Sequence, residues 1–169
     1  MAKLYRNLSV KITDEEFKKI TEFAEKTWST HKPGKRTKEQ IIHHIILGKI
    51  GELGYCKMNK KLGIPISEFS LEEFDGDDGG HDLELHKKTI DVKSIEEKDR
   101  NYKRQITGIS LRADAYVLCW VDKENRKITY EGAITRMEII NRRLLETDRD
   151  KNYSFVLIKY LKELNEFFE

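Results

Sequence analysis

Three residues stand out for the chemistry they can do together: Asp82, Asp91 and Lys93. They lie in HDLELHKKTIDVKS, residues 81–94, which reads as two short strands joined by a Lys87–Lys88 turn. Alternation puts Leu83, Leu85, Ile90 and Val92 on one face, and Asp82, Glu84, Asp91 and Lys93 on the other. With Lys87 and Lys88 as the loop, His86 faces Thr89, Glu84 faces Asp91, and Asp82 faces Lys93. Directly opposed Cβ atoms lie roughly 5 Å apart and diagonal ones about 7–8 Å, so Asp82, Asp91 and Lys93 come within reach of one ion. Opposed like charges cost stability, and a divalent cation offsets that cost. Hard cations such as Mg2+ take carboxylate and carbonyl oxygens and keep several waters. A bound ion polarises a phosphoryl oxygen and acidifies a coordinated water. A lysine beside it orients that water or neutralises charge developing on the phosphate.

The charge of the chain is distributed to match. Net charge is only +2, yet residues 31–61 hold eight Lys or Arg against Glu39 and Glu52. Residues 67–84 hold eight acids and no Lys or Arg, and residues 98–112 return to Lys98, Arg100, Lys103, Arg104 and Arg112 against Asp99. An acidic pocket between basic flanks suits a metal ion working on a phosphate polymer. Asp75, Asp77 and Asp78 sit among glycines like a calcium loop, but the position eleven after Asp75 is His86 rather than glutamate, which excludes an EF-hand. Asp78 remains an accessory acid near the site. His43 and His44, inside an apolar helix, read as core or boundary residues rather than ligands.

The elements that must position these residues are legible along the chain. LSVKI (8–12) reads as a strand, and Thr13 with Glu16 forms a capping box opening a helix to about Trp28. Thr37 caps a second, largely buried helix that runs to about Leu62 and stops at Gly63. After the hairpin come strands ITGISL (106–111), AYVLCWV (115–121) and KITYEGAI (127–134), the second apolar on both faces as a central strand must be. Thr135 and Glu138 open a further helix to about Glu146. Residues 153–169 fit either a strand or a helix. The whole predicts a single α/β layered domain: a central mixed sheet of four to five strands flanked by helices. Its divisions are an N-terminal strand–helix extension (1–36), a core (37–146) and a C-terminal strand or helix (147–169).

Asp82 and the Asp91-Val92-Lys93 triplet, each in a strand and in this order, resemble the motif of the PD-(D/E)xK nuclease superfamily, the fold of many restriction endonucleases. GDDGGHDLEL followed by IDVKS is similar to a form found in small phage, viral and archaeal nucleases. The family also carries a glutamate on the preceding helix, often in Gly-x-x-Gly-Glu; GKIGELG supplies Gly48, Gly51 and Glu52. Two glycines three apart thin one helix face and let its backbone approach the sheet. The resemblance spans roughly residues 40–140 and departs from the pattern in having His81 where proline often stands. It implies a restriction-endonuclease-like core binding Mg2+ or Mn2+ through Asp82, Asp91 and the Val92 carbonyl. Lys93 positions the attacking water, and Glu52 acts as an accessory ligand or an acid behind the ligands.

The expected activity is metal-dependent hydrolysis of phosphodiester bonds in DNA. Tyr102, Lys103 and Arg104, with Lys35 and Arg36, are candidate nucleic-acid contacts, and Gln105 is a candidate for orienting water. Two other readings share the scaffold: a non-catalytic DNA-binding module and an RNA-cleaving enzyme. A rival begins at the N-terminus, where a strand followed by two helices resembles a ribbon-helix-helix binder reading DNA through Ser9 and Lys11. No apolar run approaches the roughly 18 residues that span a bilayer. Only Cys56 and Cys119 occur, without metal-ligand spacing, so the expected setting is intracellular, away from membranes. A homodimer fits such a core, since many pair to cut two strands.

Overall fold

The structure is a computed structural model, describing residues 8–31, 34–71 and 82–164. It opens with β1 (Ser9–Lys11) and α1 (Asp14–Thr27), the latter started by Thr13, whose hydroxyl accepts the Glu16 N–H while the Glu16 carboxylate accepts the Thr13 N–H. A second capping box, Thr37 with Gln40, starts α2 (Lys38–Lys61). That helix ends at Leu62, with Gly63 beyond it in the left-handed region at φ +71°.

β2 (Leu83–Leu85) and β3 (Lys88–Glu96) form the hairpin. β4 (Gln105–Thr107), β5 (Ala115–Asp122) and β6 (Lys127–Thr135) follow, then α3 (Arg136–Asn141), β7 (Glu146–Asp148) and β8 (Tyr153–Leu157). The five-stranded mixed sheet has the order β1-β6-β5-β3-β2, with β3 and β5 parallel and the other pairs antiparallel. This is the mixed α/β class expected from the sequence. The first seven residues of β5, Ala115–Val121, are all buried, as a central strand requires.

One core lies between α2 and the sheet, built from Ile50, Tyr55, Cys56, Leu83, Leu85, Ile90, Val92, Val117 and neighbours. The other covers the opposite face with Tyr116, Leu118, Trp120, Ile134, Ile139 and Val156. Both cysteines are free and buried, as expected of small hydrophobes.

Four local expectations are corrected. The hairpin turn is His86–Lys87, both at positive φ (+50° and +63°), not Lys87–Lys88, so Leu83 pairs with Ile90, Glu84 with Thr89 and Leu85 with Lys88. The register slides by two residues, which keeps every side chain on its expected face but changes its opposite number. The helix after Thr135 stops at Asn141 rather than near Glu146. Arg143 turns left-handed at φ +53°, its N–H bonds the Ile140 carbonyl, and the Leu144 N–H bonds the Ile139 carbonyl. Those two bonds are a Schellman stop with arginine in the usual glycine place.

The ITGISL strand shrinks to Gln105–Thr107 because Gly108 (φ +74°) and Leu111 (φ +58°) bend the chain away. The fourth correction is a second sheet, β4-β8-β7, assembled from short strands far apart in sequence.

The N-terminal strand pairs with β6 of its own chain, Ser9 to Thr129 through Lys11 to Lys127. It is an edge of the main sheet, which removes the ribbon-helix-helix arrangement in which that strand serves DNA.

Candidate active site

Helix α2 reaches the sheet through its glycines, though not through the expected pair. A Cβ on Gly51 would collide with Ser94 Oγ and stand 2.9 Å from Cys119 Sγ; one on Gly54 would stand 2.6 Å from the Tyr130 hydroxyl. At Gly48 the same atom meets nothing within 4 Å. The close approach therefore belongs to Gly51 and Gly54, and Tyr130 secures it by donating its hydroxyl to the Gly51 carbonyl at 2.9 Å. Glu52 follows directly and is carried inward to 7% exposure. Lys49, one helical turn earlier, holds its carboxylate at 2.7 Å. Lys49 was missed in the sequence, although its three-residue spacing from Glu52 is the available signal.

The corrected hairpin register brings the aspartates together. The ladder ends at Leu83↔Ile90, and Asp82, just outside it, bonds to Ile90 rather than standing opposite Lys93. The Asp82 backbone N–H bonds the Ile90 carbonyl at 2.8 Å, and its carboxylate accepts the Val92 N–H at 2.7 Å. In extended backbone the N–H and C=O of one residue share an edge. The Val92 carbonyl therefore faces the same side as Asp82, beyond the end of β2. Asp91 is buried at 8% exposure, and Lys93 Nζ lies 2.8 Å from its carboxylate. Glu84, expected opposite Asp91, is exposed and opposite Thr89.

Burial first, then the charges of Glu52 and Asp91, pushes the Asp82 carboxyl up to about 8, against the pull of the Val92 N–H and Lys93. A carboxyl that resists ionising in the presence of two like charges is a site that gains from a cation. The donors are all hard oxygens: two aspartates, one glutamate and a carbonyl. Among the described residues no group of three or more His, Cys, Asp or Glu side chains is gathered closely enough to hold a metal ion. Oxygen donors of this kind have the chemistry that suits a hard cation, but the acids are not gathered into a preformed cage.

Around this centre the remaining candidates divide. Gly108 approaches Lys93, a Cβ there standing 3.7 Å from Nζ, so the loop after β4 forms one wall. Gln105 sits in the second sheet, where its side-chain oxygen accepts the Tyr153 hydroxyl at 3.5 Å. Tyr102, Lys103 and Arg104 lie between β3 and β4, with Tyr102 76% exposed. Lys35 and Arg36 precede α2, and the fifteen residues from Thr37 to Glu52 place them roughly 22 Å along the helix from the acids. Asp78 lies outside the described residues. His43 is half-buried, 3.4 Å from Glu96 and 3.0 Å from Lys123 Nζ. It belongs to an ion-pair group at the far end of β3.

Among the described residues no helix is long and apolar enough to cross a membrane. No known family model and no curated protein matches the chain. Among solved structures it is similar to D212, a nuclease from a fusselovirus, at 15% identity over 75% of this chain and 87% of that one, with a TM-score of 0.37.

Proposed function

We propose that this chain is a metal-dependent nuclease of the PD-(D/E)xK type that hydrolyses phosphodiester bonds in DNA. The observation that carries the reading is the half-buried Asp82 carboxyl, which accepts the Val92 N–H at 2.7 Å and is raised first by desolvation and then by the charges of Glu52 and Asp91, with Lys93 at Asp91. Charge crowding of this kind is costly in a purely structural site and marks a functional one.

Asp82, Asp91 and the Val92 carbonyl would hold Mg2+ or Mn2+, with Glu52 as an accessory acid. When bound, the ion supplies Lewis acidity toward a phosphoryl oxygen and lowers the pKa of a coordinated water. Lys93 is tethered by Asp91 with its ammonium among the acids, where it orients the attacking water and offsets charge building on the phosphate. Lys49 holds Glu52 in a fixed rotamer and tempers its charge. The buried side chains around Asp82 and Asp91 keep bulk water from competing for the carboxylates.

The test is a panel of labelled duplex, forked, four-way and single-stranded DNAs, with matching RNAs, incubated with Mg2+, Mn2+ or EDTA. Cleavage of DNA that EDTA abolishes supports the proposal. Metal-independent binding with no cut in any substrate replaces it with a non-catalytic binding module, and cleavage confined to RNA replaces the substrate.

A further inference from the structure

We infer that the Tyr102-Lys103-Arg104 segment is a base-stacking finger, and that the DNA this protein engages carries unpaired nucleotides within one duplex turn of the reacting phosphate. Tyr102 is the most exposed of the large hydrophobic side chains among the described residues, at 76%, ahead of Met137 and Ile140 on α3. An aromatic ring left in water forgoes burial that every other large aromatic in the described structure gains at least in part.

The turn beneath it is firmly built. The Arg100 N–H bonds the Glu97 carbonyl at 3.0 Å, and the N–H groups of Tyr102 and Lys103 both bond the Asp99 carbonyl, at 3.0 and 2.9 Å. At the other end the Ile158 N–H bonds the Arg104 carbonyl at 2.9 Å, pinning the segment to the second sheet. The ring is thus presented on a fixed mount, which lowers the entropy lost on stacking.

The cations around it are sorted. Lys98 is engaged by Glu96 at 2.9 Å, and Arg100 by Glu97 and Glu131 at 3.3 and 3.2 Å. Among the described residues no acid pairs with Lys103 or Arg104; the Arg104 guanidinium donates only to the Lys103 carbonyl, at 3.1 Å. An exposed ring followed by two exposed cations is the composition of a single-strand platform: a face for a base, charges for the phosphates beside it. In duplex DNA the bases are already stacked, so the ring gains a partner only where they are not.

Reach sets the geometry. Gly108 lies six positions after Tyr102, a span of at most roughly 22 Å, and Gly108 adjoins Lys93. The stacked base therefore falls within one duplex turn, about 34 Å, of the lysine.

This inference rests on the proposed reading in taking DNA as the ligand. The experiment measures binding in EDTA, by anisotropy, to a duplex and to a fork with single-stranded arms, together with quenching of 2-aminopurine placed in the arm. The wild type should prefer the fork and quench the probe. Tyr102→Ala should cut the fork-over-duplex ratio about five- to a hundredfold and abolish quenching, with Tyr102→Trp and Tyr102→Phe restoring both. Lys103→Ala with Arg104→Ala should weaken both substrates alike and flatten the salt dependence. A ratio unchanged in Tyr102→Ala, or failure of Tyr102→Trp to restore quenching, overturns the finger and leaves the nuclease reading intact. An intact ratio effect without metal-dependent cutting overturns only the nuclease reading, and no DNA binding at all overturns both.

Discussion

The carboxylate of Asp82 accepts the backbone N–H of Val92 at 2.7 Å, across the open end of the hairpin. That bond fixes the first aspartate at the edge from which the β3 carbonyls emerge, and it sets what each substitution there should do.

Asp82→Ala and Asp91→Ala should each lower metal-dependent cleavage at least about 100-fold while leaving the circular dichroism spectrum of the fold intact. Both remove charge from a crowded acidic face. Plasmid nicking by either variant at the wild-type rate would sink the site.

Stability of the metal-free protein should depend on pH in a stated direction. Asp82 ionises near its ordinary value of 3.8 when unfolded and at about 8 when folded. The folded state then binds more protons between those values, so stability falls as pH rises from about 4 to about 8 and is level above. Asp82→Asn keeps an acceptor for the Val92 N–H and removes the charge. It should flatten that slope and raise Tm by several degrees at pH 8, with little gain at pH 4. Mg2+ should raise the wild-type Tm more at pH 8 than at pH 6, because binding requires the ionised carboxylate. Thermal melts over this range check both signs.

Lys93→Met should lose turnover by about 100-fold or more while Mn2+ affinity, measured by calorimetry, holds or improves. Removing an ammonium 2.8 Å from Asp91 takes positive charge away from a cation site. A large loss of Mn2+ affinity would instead make the lysine a structural partner of Asp91.

The helix–sheet contact predicts a contrast between glycines. Gly51→Ala should destabilise by roughly 1–3 kcal/mol, since Ser94 and Cys119 occupy the space and neither is at the end of a flexible chain. Gly48→Ala, with open space around it, should stabilise by about 0.5–1 kcal/mol through helix propensity. Urea denaturation of the two variants distinguishes them, and Ser94→Ala should recover part of the Gly51→Ala loss.

Features written in local code were legible in the sequence. The two Thr–Glu capping boxes, the Thr37 cap, the buried run of α2, the all-apolar β5 and the alternation of the hairpin all follow from short-range patterns. The hairpin register was not, because His86 and Lys87, both at positive φ, carry no turn signature. Arg143 likewise hides a helix stop that glycine would have announced. The second sheet joins segments some fifty residues apart through strands of three to five residues, too short for periodicity to speak. For the candidate site, the residue types and their faces were readable, whereas which acid meets which depended on a two-residue slide.

That second sheet bears on the birth of the protein. The wall beside Lys93 ends at Gly108, whose N–H bonds the Ser154 carbonyl, while Gln105, Ile106 and Thr107 pair with Leu157, Val156 and Phe155. A nascent chain still short of residue 157 carries both aspartates and the lysine but lacks the strand that braces their neighbour. The wall beside Lys93 therefore cannot be completed until the chain through Leu157 has left the ribosome, some sixty residues after the second aspartate and the lysine have emerged.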